Sequence, residues 1–311
     1  EAMVYKRMQN KIAESRFTLP ITAAYAILVC FACRLISDRL WIQMILLIVS
    51  TYLVIELNNT NSLIRIYSRM VSSTFLVLVS AANILFTSIE GGIVQLCIIG
   101  CYTALFYAYQ NKQASGHVFY AFLCIGIAST VFIQIIFFIP ILWILLTVNI
   151  LAFSNRTFWA SVLGLIAPYW FVGGYYIYTD EIDKFIQHFT NIIQFQPLFD
   201  YSAVTEHQIV TFAYIVLMTA IGTIHYLRNS YADKIRTRML YELFIAMSIS
   251  SAVFIFLQPR HFDILMRILI VNTAPLIAHF IALTRTRLTN IAFYGIIGLS
   301  IGITAYNLWM H

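Results

Sequence analysis

Apolar runs long enough to cross a bilayer recur from one end of this chain to the other, and that repetition leaves few folds open. They lie at 17–36, 40–57, 71–89, 93–110, 117–134, 137–153, 158–178, 209–227, 240–257, 264–283 and 291–309. Each approaches the length a helix needs to cross about 30 Å of hydrocarbon. Backbone groups in hydrocarbon must be satisfied within their own segment, so every run is predicted to be a helix. A transmembrane barrel would show short alternating strands, and that pattern is absent. The expected fold class is all-α: a polytopic membrane bundle of about eleven transmembrane helices, with one amphipathic helix on the outer surface.

Composition closes the soluble alternative. Of 311 residues, 61% are hydrophobic and 10% charged, against about 25% charged in a soluble domain. The mean hydropathy of +0.83 agrees. The net charge of +6 does not point to nucleic acid, because the basic residues sit in short loops between apolar runs. With the N-terminus in the cytoplasm, the inside holds Lys6, Arg7, Lys11, Arg16, Arg65, Arg69, Lys112, Arg156, Arg228, Lys234, Arg236, Arg238, Arg285 and Arg287. The outside receives Arg34, Arg39, Lys184, Arg260 and Arg267, a split of fourteen to five. The same count divides the uncharged stretch 117–153. Lys112 and Arg156 both belong inside, so a hairpin turning near Gln134 to Pro140 is expected.

Residues 1–16 read as a basic cytoplasmic segment and 17–311 as a single transmembrane domain with an outer loop at 179–208. No signal peptide is expected; Met3 reads as the native start, with Glu1 and Ala2 appended to it. The outer loop opens with Thr179, a suitable N-cap, and the acids Asp180, Glu181 and Asp183, which suit a helix N-terminus. Ile182, Phe185, Ile186, Phe189, Ile192 and Ile193 recur at helical spacing, predicting a surface helix over 180–194 that ends at Pro197. Cys30, Cys33, Cys97, Cys101 and Cys124 all fall within spans, so no disulfide framework is expected, and Cys30-x-x-Cys33 reads as small packing residues.

Polar groups inside spans are costly and are the first functional candidates. Glu56 and Glu242 lie near cytoplasmic ends. Asn83, Asn149, Asn272 and Asn307 suit hydrogen bonding between helices. His225 is near an inner boundary, and His279 is expected to bond a neighbouring backbone carbonyl. No histidine pair stands at metal-ligand spacing with a carboxylate, so no metal is expected. No nucleotide loop or nucleophile elbow occurs, and no cofactor is expected. Arg65 and Arg69, four apart, are expected on one helix face, where they would clamp a phosphate or touch lipid phosphates.

The outer face carries a less usual set. Arg260, His261, Asp263 and Arg267 cluster around the ninth loop, Asp38 and Arg39 form the first, Arg34 stands just within the first span, and Glu90 lies in the third loop. The outer ends of spans one, nine and ten are expected to converge on a polar cavity. There Arg39, Arg260 and Arg267 would bind an anionic substrate, and Asp38, His261 and Asp263 would serve as acid–base groups. Pairing of these charges with one another is the competing account. The aromatic stretch from Tyr169 to Tyr178 marks an interface belt.

Three stretches carry a likeness: Asn58 to Arg69 with Ser72 and Ser73; Phe119 to Ser129 leading to Phe138-Ile-Pro140; and Trp159 to Tyr169 running into Tyr178-Thr-Asp180. They resemble an uncharacterised polytopic inner-membrane family of Bacteroidota, a domain of unknown function. That resemblance implies a bacterial inner membrane and no particular activity. A more distant likeness is to polyprenyl-linked glycan polymerases and multispan glycosyltransferases, although no histidine follows Ser129 as in the polymerase type. It implies an envelope-biogenesis protein that binds or processes a polyprenyl-phosphate-linked glycan at the outer face. A non-enzymatic subunit, with other membrane subunits as partners, is the alternative, and a small-solute transporter a third.

Overall fold

The computed structural model describes residues 7–35, 37–192, 199–202 and 204–309. Among them no strand occurs. The helices are α1 (Met8–Glu14), α2 (Thr18–Ala32), α3 (Trp41–Asn61), α4 (Met70–Ala81), α5 (Ile89–Tyr107), α6 (Ser115–Val131), α7 (Ile139–Val148), α8 (Asn155–Tyr178), α9 (Ile182–Thr190), α10 (Glu206–Asn229), α11 (Ile235–Leu257), α12 (Phe262–Leu283) and α13 (Arg287–Trp309). Short 3-10 turns occupy Asn83–Leu85, Ile133–Phe138, Ser230–Ala232 and Pro259–His261.

Each of the eleven apolar runs is helical, but they differ in reach. Among the described residues seven, built on α3, α5, α8, α10, α11, α12 and α13, are long and apolar enough to cross a membrane. The pair α1 and α2, bent by 88°, makes an eighth if taken as one span. The helices α4, α6 and Ile133–Val148 are shorter. Extended Phe132 ends α6, and Pro140 starts α7 after the 3-10 turn, so the helix breaks where the turn near Gln134 to Pro140 is expected. Every residue of α4 except Val77 is buried, so this helix does not need a full hydrocarbon span of its own. Elsewhere large apolar side chains lie open: on α8, Trp170 is 81% and Phe171 78% exposed. Such faces suit lipid rather than water, and these are the helices of a multi-pass membrane protein.

The chain forms two compact units. The first comprises Glu1–Ile89, Val204–Ser248 and Leu269–His311. At one end of it, Gln9 Nε2 donates to Ile281 O (2.8 Å) and to both oxygens of Thr284, and Asn10 Nδ2 donates to Thr284 O (2.9 Å). Ser68 Oγ donates to Ala13 O (2.6 Å), and Arg236 Nη2 to Asn61 Oδ1 (2.9 Å). So 7–16, 58–69, 228–238 and 284–287, four stretches that the charge count assigns to the inside, meet at one end. At the other end Asn307 Nδ2 donates to Ala81 O (2.8 Å) and Thr211 Oγ1 (2.9 Å), and Asn83 Nδ2 to Thr304 O (3.1 Å). Both asparagines thus act as helix-to-helix hydrogen bonders.

The second unit comprises Glu90–Ala203 and Ile249–Ile268. Here Ser154 Oγ donates to Lys112 O (2.8 Å), so the loops carrying Lys112 and Arg156 share one side. Helices α6 and α8 touch at backbone distance. A Cβ on Gly164 would stand 2.5 Å from Phe119 O, and one on Gly126 2.8 Å from Leu165 O.

The outer loop departs from expectation at its start. Thr179 caps the end of α8 rather than the start of α9: its N–H and its hydroxyl both donate to Tyr175 O. Asp180 then takes a left-handed φ of 54°, and Glu181 N–H returns to Tyr176 O. This closing turn uses up the residues read as an N-cap, so α9 begins only at Ile182 and ends at Thr190. Phe185 and Phe189 pack on Tyr169 of α8 at ring separations of 6.4 and 5.1 Å, while Ile182 and Ile186 stay open. Ile193 and Pro197 lie outside the described residues.

One helix supplies a direct test of sidedness. Lys234 immediately precedes α11, and Tyr201 OH donates to Phe256 O at its far end (2.7 Å). Twenty-three residues separate the two ends of α11 by roughly 35 Å. In a variant lacking the five native cysteines, single cysteines at positions 234 and 200 are expected to label from opposite sides of sealed vesicles. Labelling of both from one side would refute a spanning α11.

Candidate functional site

The basic end of the first unit holds a chamber of about 580 Å³ between the 58–68 segment and residues 232–237. Its shape follows from how α3 ends. Ser62 adopts a left-handed φ of 49° and turns the chain out of the helix. The next residues, through Arg69, are irregular. Asn58 and Asn61, both over nine-tenths buried, brace this loop. Asn58 Nδ2 donates to Ser68 O (3.0 Å), and Asn61 Oδ1 receives Arg236. The carbonyl oxygen Asn58 Oδ1 is buried at the wall with no partner.

On the opposite wall α10 closes through its 3-10 turn, which leaves Asp233 extended, two residues before α11. Its carboxylate points inward and is 3% exposed. Oδ2 accepts from His279 Nε2 at 2.8 Å, and Oδ1 lies 4.0 Å from Arg65 Nη1, which also donates to Ala232 O (3.3 Å). His279 is 1% exposed and boxed by aromatic rings. Tyr226 and Tyr241 stack at 4.7 Å and both meet the imidazole edge-on, at 5.2 and 5.1 Å; His225 lies 5.4 Å away. Donation by Nε2–H leaves Nδ1 of His279 as a lone-pair acceptor, and that atom is buried without a partner. The arrangement matches a carboxylate orienting a base, the logic of catalytic triads. Around it Arg65, Lys234 and Arg236 set three cations against the single carboxylate among the lining residues.

The structure corrects two expectations. His279 bonds a carboxylate rather than a backbone carbonyl. Arg65 and Arg69 do not share a helix face, because 62–69 is not helical: Arg65 reaches the chamber, while exposed Arg69 precedes α4 with Nε 3.4 Å from Tyr67 OH. Asp233 was missed. Its signal was available, as the one acid in a loop otherwise carrying Arg228, Lys234, Arg236 and Arg238.

The outer-face set divides between the units. Asp38 and Arg39 are exposed in the first, Arg39 with a left-handed φ of 56°. In the second, Arg260 is exposed and His261 stands edge-on to Phe132 at 5.1 Å. Asp263 lies one turn before Arg267 on α12. Arg267 is 6% exposed, with Nη1 3.5 Å from Gln95 Oε1. A histidine does reach Ser129, from α9: His188 Nε2 lies 3.0 Å from Ser129 O. The Ser129 hydroxyl is engaged with Gly126 O and Tyr169 OH, so this is not a nucleophile–base pair. Among the described residues no three His, Cys, Asp or Glu side chains gather as a metal site. No protein-family model, curated protein or solved structure matches the chain.

Proposed function

We propose that this membrane protein binds a phosphate-bearing ligand in the chamber of the first unit and exchanges a proton with it through Asp233 and His279. The observation that carries the reading is a water-accessible chamber with Arg65, Lys234 and Arg236 on its walls and a buried, hydrogen-bonded Asp–His pair beside it. Arginine suits two-pronged contact with phosphate oxygens. A buried ionisable pair near a membrane interface is expensive to keep and is a functional candidate by default. The compartment proposed with it is a bacterial inner membrane, crossed eleven times, with the chamber cytoplasmic, the N-terminus inside and the C-terminus outside. The fourteen-to-five charge split supports that orientation.

Titration calorimetry of the purified protein, with inorganic phosphate in one arm and phosphatidic acid in nanodiscs in the other, tests the reading. Arg65→Ala and Lys234→Ala are each expected to weaken binding about tenfold, the low end for a hydrogen bond to a charged group. Binding in the first arm identifies a soluble ligand and binding only in the second a lipid headgroup. Binding in neither, or binding that both variants retain, would end the proposal.

A second reading, a polyprenyl-phosphate-linked glycan held at the outer face for envelope biogenesis, rests within the second unit on Arg267. A guanidinium only 6% exposed on a membrane helix, one turn after Asp263, calls for a purpose.

A further inference from the structure

The first unit contains a second cavity, of about 380 Å³, of a different character. It lies beside the turn that joins α1 to α2 and is lined from α2, α4, α10, α12 and α13; Ile12, Val77, Met218, Ile281 and Ile297 set its character. The polar groups around it are turned on one another. Tyr214 OH and Ser300 Oγ pair at 2.6 Å, Tyr25 OH donates to Thr304 Oγ1 (2.6 Å), and Thr74 Oγ1 donates to Ala274 O (3.0 Å). The walls therefore offer methyl and methylene groups. Helix interiors leave few voids larger than a water molecule, and an apolar cavity of this kind does not hold water. From Phe293 to Ile301 the α13 wall runs roughly 12 Å along the helix.

Two features give the cavity a polarity. Its basic end is the α1–α2 turn, where Ser15 lines the wall and Lys11 and Arg16 are exposed beside it in sequence. Within the first turn of α4, at that same end, Ser73 is 1% exposed and lines the cavity, and its hydroxyl has no partner. Cations come first, then an unpartnered hydroxyl, then apolar wall. An anionic headgroup, an ester carbonyl and an acyl chain follow each other in that order.

We propose that this cavity binds one acyl chain of an anionic phospholipid, with the ester carbonyl accepting from Ser73 Oγ and the headgroup meeting Lys11 and Arg16. The site does not depend on the chamber beside Asp233. The proposal is read by native mass spectrometry of the full chain, delipidated in detergent and titrated with phosphatidylglycerol, phosphatidylcholine or a polyprenyl phosphate. Phosphatidylglycerol is expected to be retained over phosphatidylcholine. Lys11→Ala and Arg16→Ala should each cut that preference about fivefold, the worth of one basic residue near anionic lipid. Ser73→Ala is expected to weaken phosphatidylglycerol while leaving the polyprenyl phosphate, which has no ester, unchanged. Val77→Trp on α4 and Ile297→Trp on α13 each fill the cavity and should abolish retention, whereas Leu163→Trp, on the open face of α8, should not. Using two filling variants, each checked for an unchanged melting temperature, separates loss of the site from loss of the fold. Retention in a folded filling variant, or equal retention of all three lipids, would overturn the proposal.

Discussion

Asp233→Ala is expected to destabilise the protein by about 1–3 kcal/mol, the cost of leaving a buried hydrogen-bond donor without its acceptor. The carboxylate is 3% exposed and the imidazole it holds 1%, so the contact that is lost is a buried one. His279 Nε2–H is left buried with no acceptor, and Arg65 loses the anion beneath it. The double variant Asp233→Ala with His279→Leu is expected to recover part of the loss, because a buried donor without an acceptor costs more than an apolar side chain of similar size. Asp233→Asn keeps one acceptor oxygen and should cost less than the alanine change. Chemical denaturation in a fixed detergent, followed by tryptophan fluorescence, gives all three values. A loss below about 1 kcal/mol for Asp233→Ala, the range of an exposed pair, would mean that the pair is solvated and that the chamber lacks the acid–base group assigned to it.

What could be read from the sequence, and what could not, divides by the range of the interaction. Helices are local objects in hydrocarbon, so eleven apolar runs announced eleven helical segments. Their lengths are not equally local. Pro140 and extended Phe132 shorten two of them, and burial on all sides lets α4 stop at Ala81. Charge bias assigned 7–16, 58–69, 228–238 and 284–287 to one side, and the contacts of Gln9, Ser68 and Arg236 bring these stretches of the first unit together. The Asp233–His279 pair spans 46 residues of sequence and two separate elements. Asp233 stood out locally as the one acid among basic residues, but nothing in either stretch foretells its partner, and a lone histidine in a span gave only its commonest meaning. Thr179 misled for a related reason: the residue types that start helices also serve where a preceding helix closes, and only the backbone of Asp180 decides between the two.

The same substitution at two glycines of α8 is expected to act with opposite signs. Gly164→Ala should destabilise by about 2–3 kcal/mol, within the range for overpacking a close contact. Its Cβ would lie 2.5 Å from Phe119 O and 3.0 Å from Leu123 N, both main-chain atoms of α6 that cannot rotate away. Relief requires the two helices to separate, and the contacts on either side of the crossing loosen with them. Gly174 stands ten residues on in the same helix with nothing within 4 Å of a built Cβ. There alanine only removes the conformational entropy of glycine, and the gain is about 0.5–1 kcal/mol. Small residues at a crossing let membrane helices approach closely enough for dispersion and weak Cα–H contacts to hold them, and Gly126, whose Cβ would meet Leu165 O at 2.8 Å, supplies the matching gap on α6. Thermal unfolding of both variants in one detergent, with Gly126→Ala as a third, compares them directly. If Gly164→Ala is as well tolerated as Gly174→Ala, the helices do not meet at backbone distance, and α6 and α8 are held by their larger side chains instead.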